Sequence, residues 1–147
     1  MKSVSELIME LENYPIKGSF IYAKNDTLSQ VCNIPTRKDY SGIYLFYDNK
    51  NELIYVGISG REGVNGEITH RKDGLRGRFL KGKQFEDRRS KTLSLQMEKD
   101  GITRLCIKWF VTYGDGMKDI PRSIEKKIIA TFKVESNGCR PKWNKRD

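Results

Sequence analysis

The sequence predicts an α+β fold in which helices flank a small, mostly antiparallel sheet of three strands. Two dense strand patterns, at residues 42–47 and 53–58, stand on either side of a short polar turn, and a third strand pattern follows at residues 105–112. Helical patterns lie between and after these strands, in the order β-β-α-α-β-α. This order is typical of helices packed on an antiparallel sheet.

The length of 147 residues fits one domain spanning 1–147. We expect a core at residues 41–144 and an N-terminal extension, residues 1–40, that packs on it. A capping-box pattern at Ser3, followed by apolar residues at helical spacing, predicts a short helix at the start of the extension. Its phenylalanine-isoleucine-tyrosine run at residues 20–22 is a candidate short strand.

The first two strands predict a β-hairpin. A turn centred on Asn49 and Lys50 pairs Tyr44 with Tyr55, so that two phenol groups stand side by side on one sheet face. An ordinary aromatic cross-strand pair is the simpler explanation of these two residues. The pattern alone therefore does not assign them a function.

Gly42 and Gly57 interrupt these otherwise strong strands. Glycine in a strand weakens packing, and it is favoured where a ligand or another backbone approaches closely. A β-bulge is the other explanation, and the sequence leaves the two open.

The rest of the chain alternates loops and helices. Residues 59–74 hold four glycines and few apolar side chains, which predicts a loop. Helices are predicted at residues 75–83, 90–99 and 121–133, and the last opens with Pro121 in its first turn.

The charge balance suits a polyanionic partner. Lysine and arginine number 28 against 19 acidic residues, which gives a formal charge of +9. Basic side chains displace counterions from phosphates, so such an excess favours nucleic acid modestly, although a basic surface also aids solubility. The sequence shows no signal peptide and no stretch long enough to span a membrane, and its three scattered cysteines predict a reduced, cytoplasmic protein.

Glu125 and two arginines are candidates for chemistry. Glu125 shares one helical face with apolar residues, where a carboxylate is costly to bury unless it is paired or binds a metal. A first-turn glutamate favoured by the helix dipole is the alternative. Arg76 and Arg78 follow the glycine-rich loop, and Arg78 lies at the edge of a buried face, where it can present its guanidinium to a phosphate.

The spacing of these residues resembles that of the GIY-YIG nuclease superfamily. Gly42-Ile43-Tyr44 precedes Tyr55-Val56-Gly57 by ten residues, and the later arginine, glutamate and asparagine of the family match Arg78, Glu125 and Asn144. The resemblance covers residues 41–144. It has two departures: the loop before Arg78 is longer than in compact members, and Gly82 stands where many members carry a histidine or tyrosine.

These departures leave some roles open. The long loop leaves the choice between Arg76 and Arg78 unsettled. His70, the only histidine, is a candidate for the missing histidine's role, although a solvated loop histidine is the simpler interpretation. Lys81 and Lys83 are weaker candidates of the same kind.

The resemblance implies a metal-dependent endonuclease that hydrolyses DNA phosphodiester bonds. Glu125 would bind one Mg²⁺, for which Mn²⁺ can substitute, and Arg78 would brace the phosphate. Tyr44 or Tyr55 would orient or deprotonate the attacking water. Deprotonation by a phenol requires positive charge nearby that lowers the phenol pKa. Asn144 would orient water, metal or backbone.

The expected partner is DNA, in double-stranded form, and the stand-alone domain fits a restriction-type or phage-type enzyme. Further phosphate contacts are expected from the basic residues around the site and in the tail, which are Arg76, Lys81, Lys83, Lys142, Lys145 and Arg146. The alternatives are a catalytically inactive nucleic-acid-binding module with the same fold and a phosphodiesterase with an RNA or small-molecule substrate. A monomer and a homodimer are both compatible with the sequence.

Overall fold

The computed structural model describes residues 1–70 and 73–145, and in these ranges five helices surround an antiparallel sheet. The elements, in chain order, are α1 (Val4–Leu11), β1 (Lys17–Ala23), α2 (Leu28–Val31), β2 (Ser41–Tyr47), β3 (Leu53–Ser59), β4 (Arg61–Glu62), β5 (Ile68–Thr69), α3 (Gly74–Lys81), β6 (Lys83–Gln84), β7 (Asp87–Arg88), α4 (Arg89–Asp100), β8 (Arg104–Gly114), β9 (Met117–Lys118) and α5 (Pro121–Glu135). The α+β class predicted from the sequence is confirmed.

The main sheet has five strands, so the prediction of three is wrong. Its order is β1-β8-β2-β3, and β9 pairs with the end of β8. β1 pairs with β8 along its whole length, although only Phe20 and Tyr22 are buried in it. The sequence signal of β1 was weak because its other side chains are largely exposed, and β9 is only two residues long.

Two apolar layers cover the two faces of this sheet. On one face, α3 and α4 pack on Tyr44 and Phe46. On the other face, α1 and α5 pack on Ile43, Leu45 and Val56. Because β3 is the outermost strand of the path, side chains from both layers can meet along its free edge.

The β2–β3 register differs from the predicted one. Tyr44 pairs with Gly57, and Tyr55 pairs with Phe46, so the predicted pairing of Tyr44 with Tyr55 is wrong. The loop after Asp48 holds three residues rather than two, since the Asp48 nitrogen donates to the Glu52 carbonyl at 3.0 Å, and a register shift follows after Phe46. The total shift is two residues, which keeps both tyrosines on one face.

The predicted helices are confirmed to within a few residues at their ends. The capping box at Ser3 is present in α1, Gly101 ends α4 in the left-handed conformation, and Pro121 opens α5. The predicted loop 59–74 contains the small β4–β5 hairpin.

A second small hairpin, β6–β7, lies between α3 and α4. Phe85 and Glu86 form its turn, and both have positive φ, at 57° and 75°. Neither residue type predicts such a turn, because residues other than glycine and asparagine rarely adopt this conformation.

The chain after α5 returns to the edge of β3. The Trp143 nitrogen donates to the Ile54 carbonyl at 2.8 Å, and the Trp143 ring is buried against Phe46 and Phe85. The tail therefore covers part of this edge. Among the described residues, no helix is both long and apolar enough to cross a membrane.

Candidate active site

A concave cleft of ≈ 620 Å³ runs along the outer edge of β3. Of the candidate catalytic residues, Tyr55, Arg78, Glu125 and Asn144 line it, whereas Tyr44 and His70 do not. A groove of similar volume, ≈ 640 Å³, lies between α1 and α5, but none of the candidate catalytic residues lines it. The cleft at β3 is therefore the candidate site.

Opposite faces of the sheet supply the two sides of the cleft. The Tyr55 ring belongs to the layer that contains α3, whereas α5 packs on the other face. Glu125 lies near the beginning of α5, and it reaches the cleft because β3 is the last strand of the sheet on this side. Glu125 and Tyr55 thus line the same cleft although their elements cover different faces.

Tyr44 does not line the cleft but lies beneath it. Its side chain is 1% exposed and packs edge-on against Phe79, with ring centroids 5.3 Å apart. Gly57 makes this packing possible, because a Cβ at Gly57 would come within 2.2 Å of the Tyr44 ring. Gly57 is therefore explained by close approach of a side chain.

Gly42 combines both explanations that the sequence left open. A Cβ at Gly42 would stand 1.9 Å from the Phe110 carbonyl oxygen, and the pairing of β2 with β8 shifts register between Ser41 and Gly42. The neighbouring backbone requires the glycine, and a bulge lies beside it.

Arg89 contacts two residues of the cleft lining, Gln84 and Tyr55, and was not identified from the sequence. It is 1% exposed. Its Nη2 donates to the Tyr44 hydroxyl at 2.8 Å and stands 3.5 Å from the Tyr55 hydroxyl. Arg89 sits in the run of charged residues at 86–89, where nothing in the sequence distinguishes a buried arginine from a solvated one.

The phenol of Tyr55 is a weak acid in this setting. Burial raises the pKa of Tyr55 to about 12, although Arg89 and Arg78 both act to lower it. The expected positive charge is present, but the loss of hydration outweighs it. Tyr55 is therefore a neutral phenol near pH 7, able to donate and accept hydrogen bonds.

Glu125 is a buried carboxylate that forms an ion pair with Arg122. It is 8% exposed, and Arg122 Nη1 donates to its Oε1 at 3.1 Å. Burial raises the pKa of Glu125, while the charges of Arg122 and Lys126 lower it. Glu125 shares its helical face with the buried Ile128 and Ile129, in agreement with the sequence pattern.

Two donor nitrogens at the cleft lack acceptors. The Arg78 Nε and the Gln84 Nε2 are both buried, and neither has a hydrogen-bond partner within residues 1–70 and 73–145. Both side chains line the cleft. An unsatisfied buried donor costs about 1–3 kcal/mol, so each of these side chains gains a hydrogen bond if a small movement brings its nitrogen to an acceptor in the cleft.

Arg76 is held away from the cleft. Its Nη1 donates to the carbonyls of Cys32 and Ile34 at 2.9 Å each, and its Nη2 donates to the Ser29 carbonyl at 3.2 Å. These bonds join α3 to the chain around α2. Arg76 does not line the cleft, so the geometry favours Arg78 as the phosphate-facing arginine.

His70 and Asn144 also have defined partners. His70 Nδ1 lies 2.6 Å from the Ser41 hydroxyl, its ring packs edge-on against Tyr113, and it does not line the cleft. The Asn144 amide pairs with the backbone of Val56 at the edge of β3.

The expected lysines divide into two groups. Lys83 and Lys145 line the cleft. Lys81 is ion-paired with Asp73, and Lys142 lies 3.8 Å from Asp100, both outside the lining. Arg146 lies outside the described residues.

Two carboxylates line the cleft and could bind a metal there: Glu125, which is buried, and Glu86, which is exposed. In the part of the chain that the structure describes, no group of three or more His, Cys, Asp or Glu side chains is placed to hold a metal ion. A cation bound here would therefore take most of its ligands from water and from a bound substrate.

Comparisons with protein-family models, with curated proteins and with solved structures found no match to this chain.

Proposed function

We propose that this protein is a metal-dependent endonuclease of the GIY-YIG type that hydrolyses phosphodiester bonds in DNA. One observation carries the proposal: the buried carboxylate of Glu125 and the side chains of Arg78 and Gln84 line one cleft, and on each of these two side chains a buried nitrogen has no hydrogen-bond partner among the described residues. The Arg78 guanidinium and the Gln84 amide are hydrogen-bond donors suited to phosphate oxygens, and the carboxylate is suited to a divalent cation. Tyr55 adds a neutral phenol to the same surface.

The donor set fits Mg²⁺, with Mn²⁺ as a substitute. Mg²⁺ sites commonly use one or two carboxylates and complete their octahedron with water and substrate phosphate, and Glu125 can supply such a carboxylate. The ion, when bound, would neutralise charge on the phosphate and on the leaving 3′ oxygen. Its positive charge would also compete with Arg122 for the carboxylate of Glu125.

The remaining roles belong to the chain itself. Arg78 binds the scissile phosphate and stabilises the charge that builds up during attack by water. Tyr55, whose pKa is raised to about 12, orients the attacking water as a neutral phenol and does not take its proton at neutral pH. Tyr44 supports Tyr55 from below, and Asn144 fixes the strand that carries it.

DNA is the proposed substrate because cations surround the cleft. Arg78, Lys83, Arg122 and Lys145 all line it. The chain as a whole carries a formal charge of +9, which favours a long polyanion over a single phosphate ester. Double-stranded DNA, a restriction-type or phage-type role and a cytoplasmic location are parts of the same proposal.

The test is a plasmid-cleavage assay with supercoiled DNA. We expect nicked and linear products with Mg²⁺ or Mn²⁺ and none with excess EDTA. Glu125→Gln keeps the size of the side chain and should abolish cutting while DNA binding persists. Activity that survives excess chelator, or a Glu125→Gln variant that cuts at the wild-type rate, would contradict the proposal.

One observation favours the alternative, a catalytically inactive DNA-binding module. The Glu125 carboxylate already has a cationic partner in Arg122, as expected of a structural ion pair. The same assay separates the two candidates. Tight, salt-dependent DNA binding with no cleavage at any Mg²⁺ or Mn²⁺ concentration would identify the binding module.

A further inference from the structure

Arg89 is a buried cation without an anionic partner in the described ranges. It is 1% exposed, and no carboxylate of residues 1–70 or 73–145 forms an ion pair with it. Burying an uncompensated charge costs several kcal/mol, so a residue that serves only packing would not be expected to be an arginine here.

The acceptors around Arg89 are neutral and come from two sources. Its Nη1 donates to the Phe79 carbonyl at 2.9 Å and to the Arg78 carbonyl at 3.3 Å, near the end of α3. The carbonyls at a helix C-terminus carry partial negative charge, which offsets part of the burial cost. The other acceptors are side chains of the candidate site.

These side-chain contacts fix the orientation of site residues. Arg89 Nε donates to Gln84 Oε1 at 2.9 Å, and because a guanidinium can only donate, the oxygen of this amide must face Arg89. The Gln84 Nε2 is buried beside the cleft and has no hydrogen-bond partner among the described residues. Arg89 therefore fixes the orientation of the Gln84 amide, with its nitrogen turned away from the guanidinium.

The phenol groups are held in the same way. Arg89 donates to the Tyr44 hydroxyl, and its guanidinium carbon lies 5.1 Å from the Tyr44 ring centroid and 5.9 Å from the Tyr55 ring centroid. A guanidinium that lies over an aromatic ring and also donates to the ring hydroxyl restricts the orientation of that ring.

We propose that Arg89 is a positioning residue, whose buried guanidinium holds the Tyr55 hydroxyl and the Gln84 amide in the orientation that the cleft presents to a phosphodiester. This inference rests on the proposed nuclease function for its kinetic consequence. Its structural consequence, the fixed phenol and amide, does not depend on any activity. Arg89 touches no substrate atom in this account and acts through the two neighbours.

The experiment compares Arg89→Lys with Arg88→Met. Lysine keeps the charge but cannot make the fork of hydrogen bonds to Gln84 and the phenols. Arg88 is the adjacent exposed arginine, so its replacement controls for the effect of changing a basic side chain at the start of α4. Each variant is measured by urea unfolding, by DNA affinity and by the single-turnover cleavage rate at saturating DNA.

A spectroscopic measurement on the DNA-free protein tests the positioning directly. Tyrosine labelled with ¹³C at the ζ carbon reports the environment of each phenol oxygen, and Tyr44→Phe and Tyr55→Phe assign the two signals. We expect Arg89→Lys to shift both signals, and Arg88→Met to leave them in place. Unchanged signals in Arg89→Lys would overturn the proposal, whether or not the wild-type protein cuts DNA.

The kinetic arm has its own outcome. We expect Arg89→Lys to lower the single-turnover rate by about 100-fold, as displacement of positioned groups does, with the DNA dissociation constant changed by less than about threefold. If the phenol signals shift but the cleavage rate stays at the wild-type value, Arg89 is structural and the proposal fails. If the wild-type protein does not cut, the nuclease proposal fails, and the labelled phenols still decide the positioning.

A second variant covers the case in which Arg89→Lys does not fold. Gln84→Met keeps the side-chain length and leaves the arginine in place, but it removes the amide that Arg89 orients. We expect slower single-turnover cleavage with preserved DNA affinity. If Gln84→Met cuts at the wild-type rate, the orientation of the Gln84 amide by Arg89 has no role in cleavage, and that part of the proposal is overturned.

Discussion

Asn144 and Val56 form a reciprocal pair of hydrogen bonds at the edge of the sheet. The Asn144 Oδ1 accepts from the Val56 nitrogen at 2.9 Å, and its Nδ2 donates to the Val56 carbonyl at 2.9 Å. The side-chain amide thus replaces the peptide group of a neighbouring strand. Of the roles that the resemblance implied for this asparagine, the geometry favours contact with backbone.

Replacing Asn144 should loosen this edge. We expect Asn144→Ala to lower the free energy of unfolding by about 2 kcal/mol, since two hydrogen bonds of about 1 kcal/mol each are lost. Asn144→Asp should be no better, because a carboxylate can accept from the Val56 nitrogen but cannot donate to its carbonyl. Urea unfolding measures the stability of both variants. Lys142→Ala, at an exposed neighbouring position in the tail, is the control and should change stability little. An Asn144→Asp variant as stable as wild type would contradict the reciprocal pairing.

Glu125 should weaken the folded state at neutral pH. Burial raises its pKa in the folded protein above the value in the unfolded chain, so the native state binds the proton more tightly and stability falls as pH rises through this range. Glu125→Gln should therefore gain stability relative to wild type at pH 7, and the gain should disappear below about pH 4. Thermal melts between pH 3.5 and pH 8 measure the difference.

Glu98→Gln is a control that should change stability at neutral pH in the opposite direction. The hydrogen bond and charge of Lys24 lower the pKa of the exposed Glu98, so its carboxylate favours the folded state above the unfolded pKa. This variant should be slightly less stable than wild type at pH 7 and equal to it at low pH. Parallel pH profiles for the two variants would show that burial of Glu125 has no energetic effect.

Replacing Arg76 should mainly lower stability, whereas replacing Arg78 should mainly lower the cleavage rate. Arg76→Ala removes three hydrogen bonds to backbone carbonyls and should cost about 2–4 kcal/mol of stability. Arg78→Ala should leave stability near wild type, because its buried Nε has no partner to lose among the described residues, while single-turnover cleavage falls at least about 100-fold. The reverse pattern would assign the phosphate contact to Arg76.

Lys83 and Lys145 should contribute to the salt dependence of DNA binding. Both line the cleft, so each replacement by alanine should reduce the slope of log K against log salt by about 1. Lys50→Ala, in the exposed turn of the β2–β3 hairpin, removes the same charge outside the cleft and should leave the slope unchanged. Equal effects of all three would indicate binding by net charge alone.

His70 should be dispensable for cleavage. His70 lies beside Ser41 and Tyr113 and does not line the cleft. Its position therefore does not support the catalytic role for which the sequence made it a candidate. We expect His70→Ala to retain the wild-type cleavage rate within about twofold, far less than the loss from removing a general acid or base. A loss of 100-fold or more would place His70 in the site during turnover.

The sequence located the elements that carry strong periodicity, gave only the candidate strand at residues 20–22 for β1, and missed the two-residue strands. The apolar alternation of β2, β3 and β8 and the stripe of α5 were sufficient to locate them. β1 has only two buried residues, Phe20 and Tyr22, and gains its stability from pairing with β8, which a local pattern does not contain. The β6–β7 turn uses Phe85 and Glu86 at positive φ, against the preference of both residue types.

Tyr55, Arg78, Glu125 and Asn144 line the cleft, but the sequence did not predict the buried side chains that pack behind them. The spacing of Tyr44 and Tyr55 did not reveal the three-residue turn and the bulge, which moved Tyr44 opposite Gly57. Arg89 and Gln84 gave no signal because burial of a polar side chain depends on tertiary packing. An arginine among other charged residues is identified as buried only when its acceptors are in place.

The tail at the edge of β3 has a consequence for the solubility of the protein. An outermost strand with free amide and carbonyl groups is a template for pairing with strands of other molecules, and β3 is rich in the aliphatic and aromatic residues that promote such pairing. The Asn144 amide and the Trp143 backbone occupy part of that template. Variants that detach the tail should therefore form cross-β aggregates, detectable by thioflavin fluorescence, at concentrations at which the intact protein stays monodisperse.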